Sequence, residues 1–124
     1  EMTARFAKAP QAGELWIARF PFDEKGQYKA RPVFVLNVHP WGIQVAYIST
    51  KKADETSSRT DVLLDLDEAR SVGLLCAGRI DFGRRATISL MDVGKKIGDI
   101  GTPGTKLSML KFREMAEAAH AAGL

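Results

Sequence analysis

Arg31, followed at once by Pro32, stands where a polar segment gives way to the apolar run Val33–Leu36, and Ser49 and Thr50 stand where another apolar run ends. If those runs are neighbouring antiparallel strands, a guanidinium and a hydroxyl come close together. That pair suits a phosphate diester. A guanidinium fork holds two phosphate oxygens at once and favours the extra negative charge of a transition state, and a hydroxyl adds a hydrogen bond to the same oxygens. RNA carries its own nucleophile, the 2′-hydroxyl, so a protein that cleaves it need supply only orientation, charge stabilisation and proton transfer. Polar and cationic residues flank both points: Lys25, Gln27 and Lys29 precede Arg31, and Lys51 and Lys52 follow Thr50. The same residues also have ordinary uses, because arginine at a strand start is common on surfaces and Ser-Thr at a strand end is common in turns.

Other chemistries find less support. The two histidines, His39 in a turn and His120 in a candidate helix, make no metal pair at helical spacing, and no metal or cofactor is expected. A single cysteine, Cys76, excludes an internal disulfide and a Cys-based zinc site; within the apolar run GLLCAG it reads as a buried, inert thiol. There is no G-x-S-x-G elbow and no glycine-rich loop of the Walker or dinucleotide type. His39 has an intrinsic pKa suited to proton transfer, yet a turn histidine beside Trp41 has a structural reason as well. No general base is defined, because arginine stays protonated at neutral pH.

The elements that must position these residues are mostly strands. Leu15–Phe20 and Val33–Val38 read as a hairpin around a long polar loop, with Pro32 able only to open the second strand because it lacks a ladder donor. Ile43–Thr50 is a third strand, whose alternation places Ile43, Val45, Tyr47 and Ser49 on one face and Gln44, Ala46, Ile48 and Thr50 on the other. After a polar loop over Lys51–Thr60 come a short strand at Asp61–Asp65 and a helical turn at Asp67–Ser71. Strands over Leu74–Phe82 and Arg84–Leu90 follow, divided by a turn at Gly83, and a last one over Lys95–Ile100. The segment Thr105–Ala122 is predicted as a helix, with Met109, Phe112, Ala116 and Ala119 as a stripe facing the core. Residues 1–12 read as a flexible arm and 13–124 as a single domain, a mainly β fold in the form of a small, strongly bent β-barrel with a C-terminal helix.

Composition agrees with one ordinary globular unit of 124 residues. A net charge of +3 permits a nucleic-acid partner without requiring one. No apolar run is long enough to span a membrane and the N-terminal segment lacks the apolar core of a secretory signal, so a cytoplasmic protein is expected.

The stretch Gly13–Leu36, GELWIARFPFDEKGQYKARPVFVL, resembles the opening of the MazF/PemK toxin family, written G-[DE]-[IL]-[VW]-x-[VA]-x-[FL]-x-P followed by a loop and R-P-[AV]-x-V-[LI]. The resemblance extends more weakly over about residues 12 to 122. It implies an SH3-like barrel of the MazF/PemK/CcdB type and a sequence-selective, metal-independent endoribonuclease that cleaves single-stranded RNA. It further implies a cognate antitoxin that holds the toxin inactive, and a homodimer. Exposed sheet edges and an apolar surplus (Trp16, Trp41, Tyr47, Phe82, Met109, Phe112, Met115) point the same way on oligomeric state. On this resemblance Arg31 matches the main catalytic residue, and Ser49, with Thr50 its neighbour, matches the hydroxyl after the third strand. Arg79 and Asp81, on one face of their strand, either stand in for an Arg and Asp that some members carry over the segment matching Leu75–Gly78 or form a surface ion pair. A second reading remains open, a catalytically degenerate module that docks onto a protein or nucleic acid as CcdB does, because fold alone does not decide function.

Overall fold

The computed structural model describes residues 9–22, 27–50, 59–101 and 107–124, with Phe22, Gln27 and Tyr28 described by their backbone only. Six strands, β1 (Glu14–Phe22), β2 (Gln27–His39), β3 (Gly42–Ser49), β4 (Asp61–Leu64), β5 (Gly78–Ile88) and β6 (Val93–Asp99), make one antiparallel sheet. Their order is β4-β5-β3-β2-β1-β6, so the sheet is mainly built of chain neighbours and stays open, with β4 and β6 at its edges. A short helix α1 (Leu66–Ser71) follows β4, a 3-10 turn (Leu90–Asp92) precedes β6, and helix α2 (Met109–Ala121) closes the chain. No described helix is long and apolar enough to cross a membrane.

The sheet expected as a closed barrel is instead bridged by backbone packing. The turn that ends α1 lies against β6, where a Cβ on Gly73 would overlap the Ile97 carbonyl and one on Gly98 the Val72 carbonyl. Gly73 also has φ +103, a conformation that side chains disfavour. Two glycines therefore let the far ends of an open sheet approach without hydrogen-bonded closure.

Each face of the sheet carries a buried apolar cluster. One face carries Leu15, Phe34, Ala46 and Ile48, which pack with α1 and with Met115 and Ala118 of α2. The other carries Trp16, Ala18, Phe20, Val33, Val35, Ile43, Val45 and Tyr47. Period-2 alternation assigns the residues of β1, β2 and β3 to these clusters as it must.

β5 breaks that alternation once. Ala46 pairs with Arg85 but its neighbour Tyr47 pairs with Asp81, so Phe82, Gly83 and Arg84 stand out of the ladder. Skipping an odd count of residues reverses the faces: Ile80 and Phe82 lie in the first cluster, Ala86 and Ile88 against the second. The predicted turn at Gly83 between two strands is thus a β-bulge inside one strand.

Other boundaries move for similar reasons. β2 begins at Gln27, not Val33, so Lys29, Arg31 and Pro32 lie within a strand and not at a loop tip. No described β3 partner exists for β2 ahead of Val33, and the missing N–H of Pro32 costs no ladder bond on that side. The segment Leu75–Ala77 precedes β5, and Leu75 and Cys76 are exposed, so the thiol expected to be buried is at the surface. Helix α2 starts at Met109 and not at Thr105, capped by Ser108, whose side chain accepts from Lys111 N; residues 105 and 106 of the expected helix lie outside the described residues. The helix is also rotated from the predicted stripe. Met115 and Ala118 are buried, while Met109 is 88% exposed and Leu110 and Phe112 are exposed too. Lys111 occupies the sheet-facing side instead, where its Nζ donates to the Leu63 carbonyl on the outer edge of β4 at 2.8 Å. A lysine spent on an edge strand blunts a surface that would otherwise pair with another chain.

Residues 1–8 of the expected N-terminal arm lie outside the described residues. Next to them, Pro10 is buried, and Gln11 N donates to Glu14 Oε1 at 2.9 Å.

Candidate functional site

Arg31 sits midway along β2, opposite Ala18 of β1, whose small side chain leaves room for a guanidinium on that face. Lys29 and Arg31 share the face of Val33 and Val35, since residues two apart point the same way. The β2–β3 ladder ends at Val33↔Tyr47, and the same register carried two residues further sets Ser49 across from Arg31. Ser49 in turn pairs with Arg79 and Tyr47 with Asp81. Arg31, Tyr47, Ser49, Arg79 and Asp81 therefore share one face, which joins β1, β2, β3 and β5.

The centre of this face is Tyr47. Arg31 Nη1 donates to its hydroxyl at 2.6 Å, and the Arg31 guanidinium carbon lies 4.8 Å from its ring centroid. Arg84 approaches the same ring at 4.1 Å, and the Phe20 ring at 5.9 Å. Phe20 meets Tyr47 edge to face, with centroids 5.2 Å apart, which fixes the tyrosine ring from below. Two guanidinium groups are thereby gathered on one aromatic side chain. Each cation is drawn to the ring's negative face, and the planar N–H forks remain suited to bidentate contact with an anion.

The bulge takes Arg84 out of the ladder beside Tyr47. Asp81 Oδ1 accepts from Gly83 N at 2.9 Å and from Thr60 Oγ1 at 3.4 Å, while Phe82 N donates to the Thr60 carbonyl at 2.9 Å. A Cβ on Gly83 would lie 3.0 Å from Thr60 Oγ1, so glycine lets that turn come close. Asp81 thus shapes the backbone from which Arg84 projects. Arg79 is 4% exposed and pairs with Asp61 at 3.5 Å. Arg79, weighed from the sequence as half of a surface ion pair with Asp81, is therefore itself buried and pairs with Asp61 across the β4–β5 ladder.

The other residues singled out from the sequence fall elsewhere. Thr50 lies beyond the end of β3 and lines a pocket of about 550 Å³ with Ile17, Pro32, Leu75, Cys76 and Lys95, on the opposite side of the sheet from Arg31. His39 ends β2 eight residues from Arg31, roughly 25 Å away by the rise of a strand, and stacks on Trp41 with centroids 4.6 Å apart. It closes the strand beside the β2–β3 turn, away from this face. Lys29 is exposed opposite Phe20, and Gln27 pairs with Phe22 at the hairpin end of β2. Lys25, Lys51 and Lys52 lie outside the described residues. Among the described residues no three of His, Cys, Asp and Glu are grouped so as to hold a metal ion.

Sequence reasoning passed over Tyr47 and Arg84 as functional residues. Tyr47 alternates with Ser49, so its face was readable, but its aromatic character suggested core alone. Arg84 carried no local signal, because the β3–β5 pairing that brings it to Tyr47 is not written in either segment alone.

No protein-family model matches the chain, and no curated protein matches its sequence. Solved structures do match. The chain is similar to the Mycobacterium tuberculosis toxin MazF-mt6, at 26% identity and a TM-score of 0.61, over 89% of this chain and 95% of that one. It is similar in fold to an endoribonuclease in complex with its cognate antitoxin from a mycobacterial species. There the identity is 18% and the TM-score 0.62, over 94% of this chain and 97% of that one.

Proposed function

We infer that this chain, whose fold is that of the MazF-like toxins, is an endoribonuclease that cleaves single-stranded RNA at selected sequences. The observation that carries the reading is the Arg31 guanidinium, held by Tyr47 on the face that also presents Ser49, within a fold that matches MazF-mt6 over nearly its whole length. In the reaction the 2′-hydroxyl gives up its proton and attacks the adjacent phosphorus, the P–O5′ bond breaks to leave a 2′,3′-cyclic phosphate, and the 5′-oxygen leaves as a hydroxyl, so that one proton passes in net from O2′ to O5′. Arg31 meets the charge that builds on the non-bridging oxygens, and Ser49 donates a hydrogen bond to one of them. Lys29, exposed two residues from Arg31 on the same face, attracts the strand. The activity belongs to a homodimer that a cognate antitoxin silences, in keeping with the complex seen for the mycobacterial relative. Exposed Leu90, Met91, Trp41 and Met109 offer apolar surface for such contacts.

Purified protein incubated with a long RNA in excess EDTA tests the reading. Cleavage is expected, and Arg31→Ala lowers the rate by about 10²–10³, the usual loss for one transition-state donor. Ser49→Ala is expected to lose far more than Thr50→Ala, since Thr50 lies across the sheet. A folded Arg31→Ala protein that cleaves like the wild type removes Arg31 from the mechanism. Wild-type protein that binds RNA without cutting it leaves a docking module.

A further inference from the structure

We propose that Arg84 is a second phosphate-binding guanidinium of the RNA site, directed by the β5 bulge toward the phosphate next to the one that Arg31 holds. The proposal rests on the ribonuclease reading above. Three observations lead to it. First, Phe82, Gly83 and Arg84 leave the ladder in the middle of an eleven-residue strand. A bulge forfeits ladder pairing and is commonly found where a side chain is re-aimed beside a functional site.

Second, the bulge is held in one shape from several sides. Asp81 accepts the Gly83 N–H, Thr60 donates to Asp81, and the Thr60 carbonyl accepts the Phe82 N–H. A bulge so anchored delivers its last residue to a defined place, and that place is the Tyr47 ring, 4.1 Å from the Arg84 guanidinium carbon. Without the bulge Tyr47 would pair with residue 84 itself, and the strand's faces would not reverse.

Third, Arg31 occupies the same ring at 4.8 Å. The two guanidinium carbons are thus at most about 9 Å apart, the two ring distances laid end to end. Like charges gathered on a neutral ring repel and favour an anion with more than one charged centre. A nucleic-acid strand presents its phosphates in succession at spacings within this reach. Arg84 is exposed, whereas Arg79 on the same strand is buried against Asp61.

The test uses a 2′-O-methyl copy of the sequence that the wild-type protein cleaves, which binds but lacks the nucleophile. Arg84→Gln is expected to weaken binding by about fivefold, the upper range for one exposed ion pair, and to reduce the slope of log affinity against log salt by about 0.7, the loss of one single-strand phosphate contact. Arg84→Lys, which keeps the charge, is expected to retain the slope. A second oligonucleotide with a neutral methylphosphonate at the phosphate beside the scissile one should erase the difference between wild type and Arg84→Gln. Wild-type cleavage combined with an unchanged Arg84→Gln slope, or with an equal loss on both oligonucleotides, overturns this proposal and leaves the ribonuclease reading standing. A wild-type protein that cleaves no RNA overturns both. Melting curves of both variants within a degree or two of wild type exclude a merely structural effect.

Discussion

Tyr47→Phe removes one atom from the centre of the site and leaves its shape. The phenyl ring still fills the space against Phe20 and still faces both guanidinium groups. What disappears is the hydroxyl that accepts from Arg31 Nη1 at 2.6 Å. Hydrogen bonds to charged groups contribute about 1.5–3 kcal/mol, and Arg31 is only half-buried, so the lower end applies. If that bond orients the Arg31 fork toward the phosphate, its loss of about 1.4 kcal/mol in the transition state lowers turnover about tenfold. The assay is an initial rate on a fluorophore-quencher RNA containing the mapped cleavage sequence, in EDTA, for wild type, Tyr47→Phe, Arg31→Ala and the double variant. In the Arg31→Ala background the tyrosine change should cost nothing further, because the hydroxyl acts through the arginine. A Tyr47→Phe rate within twofold of wild type refutes the orienting role. An equal loss in both backgrounds refutes it as well, and assigns the hydroxyl a contact of its own.

Two predictions concern the frame that carries the site. Burial pushes the Glu14 carboxyl up, but the Trp16 indole, the Lys96 ammonium and the Gln11 N–H donate to it, and together they hold it below its ordinary 4.5. A carboxyl lowered on folding stabilises the fold fully above its unfolded value, and the contribution fades as pH falls through the folded one. The melting temperature should therefore decline below about pH 4.5 more steeply for wild type than for Glu14→Gln; parallel curves there would deny Glu14 any role in joining β1 to β6. Gly73→Ala places a methyl against the Ile97 carbonyl and in a left-handed backbone, for a loss of about 1–3 kcal/mol in denaturant unfolding. A loss below about 0.5 kcal/mol, the range of an ordinary surface change, would mean that β6 yields freely and does not rest on the α1 turn.

The local period of the chain already contains much of this protein. Alternation along residues 43–50 places Tyr47 and Ser49 on one face and Thr50 on the other, because neighbouring side chains of a strand must point opposite ways whatever they pack against. The Arg31-Pro32 step and the run Val33–Leu36 mark a strand beside the first one, and the terminal helix shows in its composition for the same local reason. Tertiary structure decided what depends on distant partners. Whether Gly83 makes a turn or a bulge is settled by Thr60 and Asp81, from either side of a strand pairing. The same pairing leaves Arg84 outside the ladder beside Tyr47. Arg79 pairs with Asp61, because β4 brings a carboxylate across the ladder to a buried cation. The rotation of α2 goes with the burial of Met115 and Ala118 and with Lys111 reaching the open edge of β4, contacts that no helical period expresses. Pairing is a property of two segments at once, so the place of Arg84 beside Tyr47 became visible only when the strands were laid side by side.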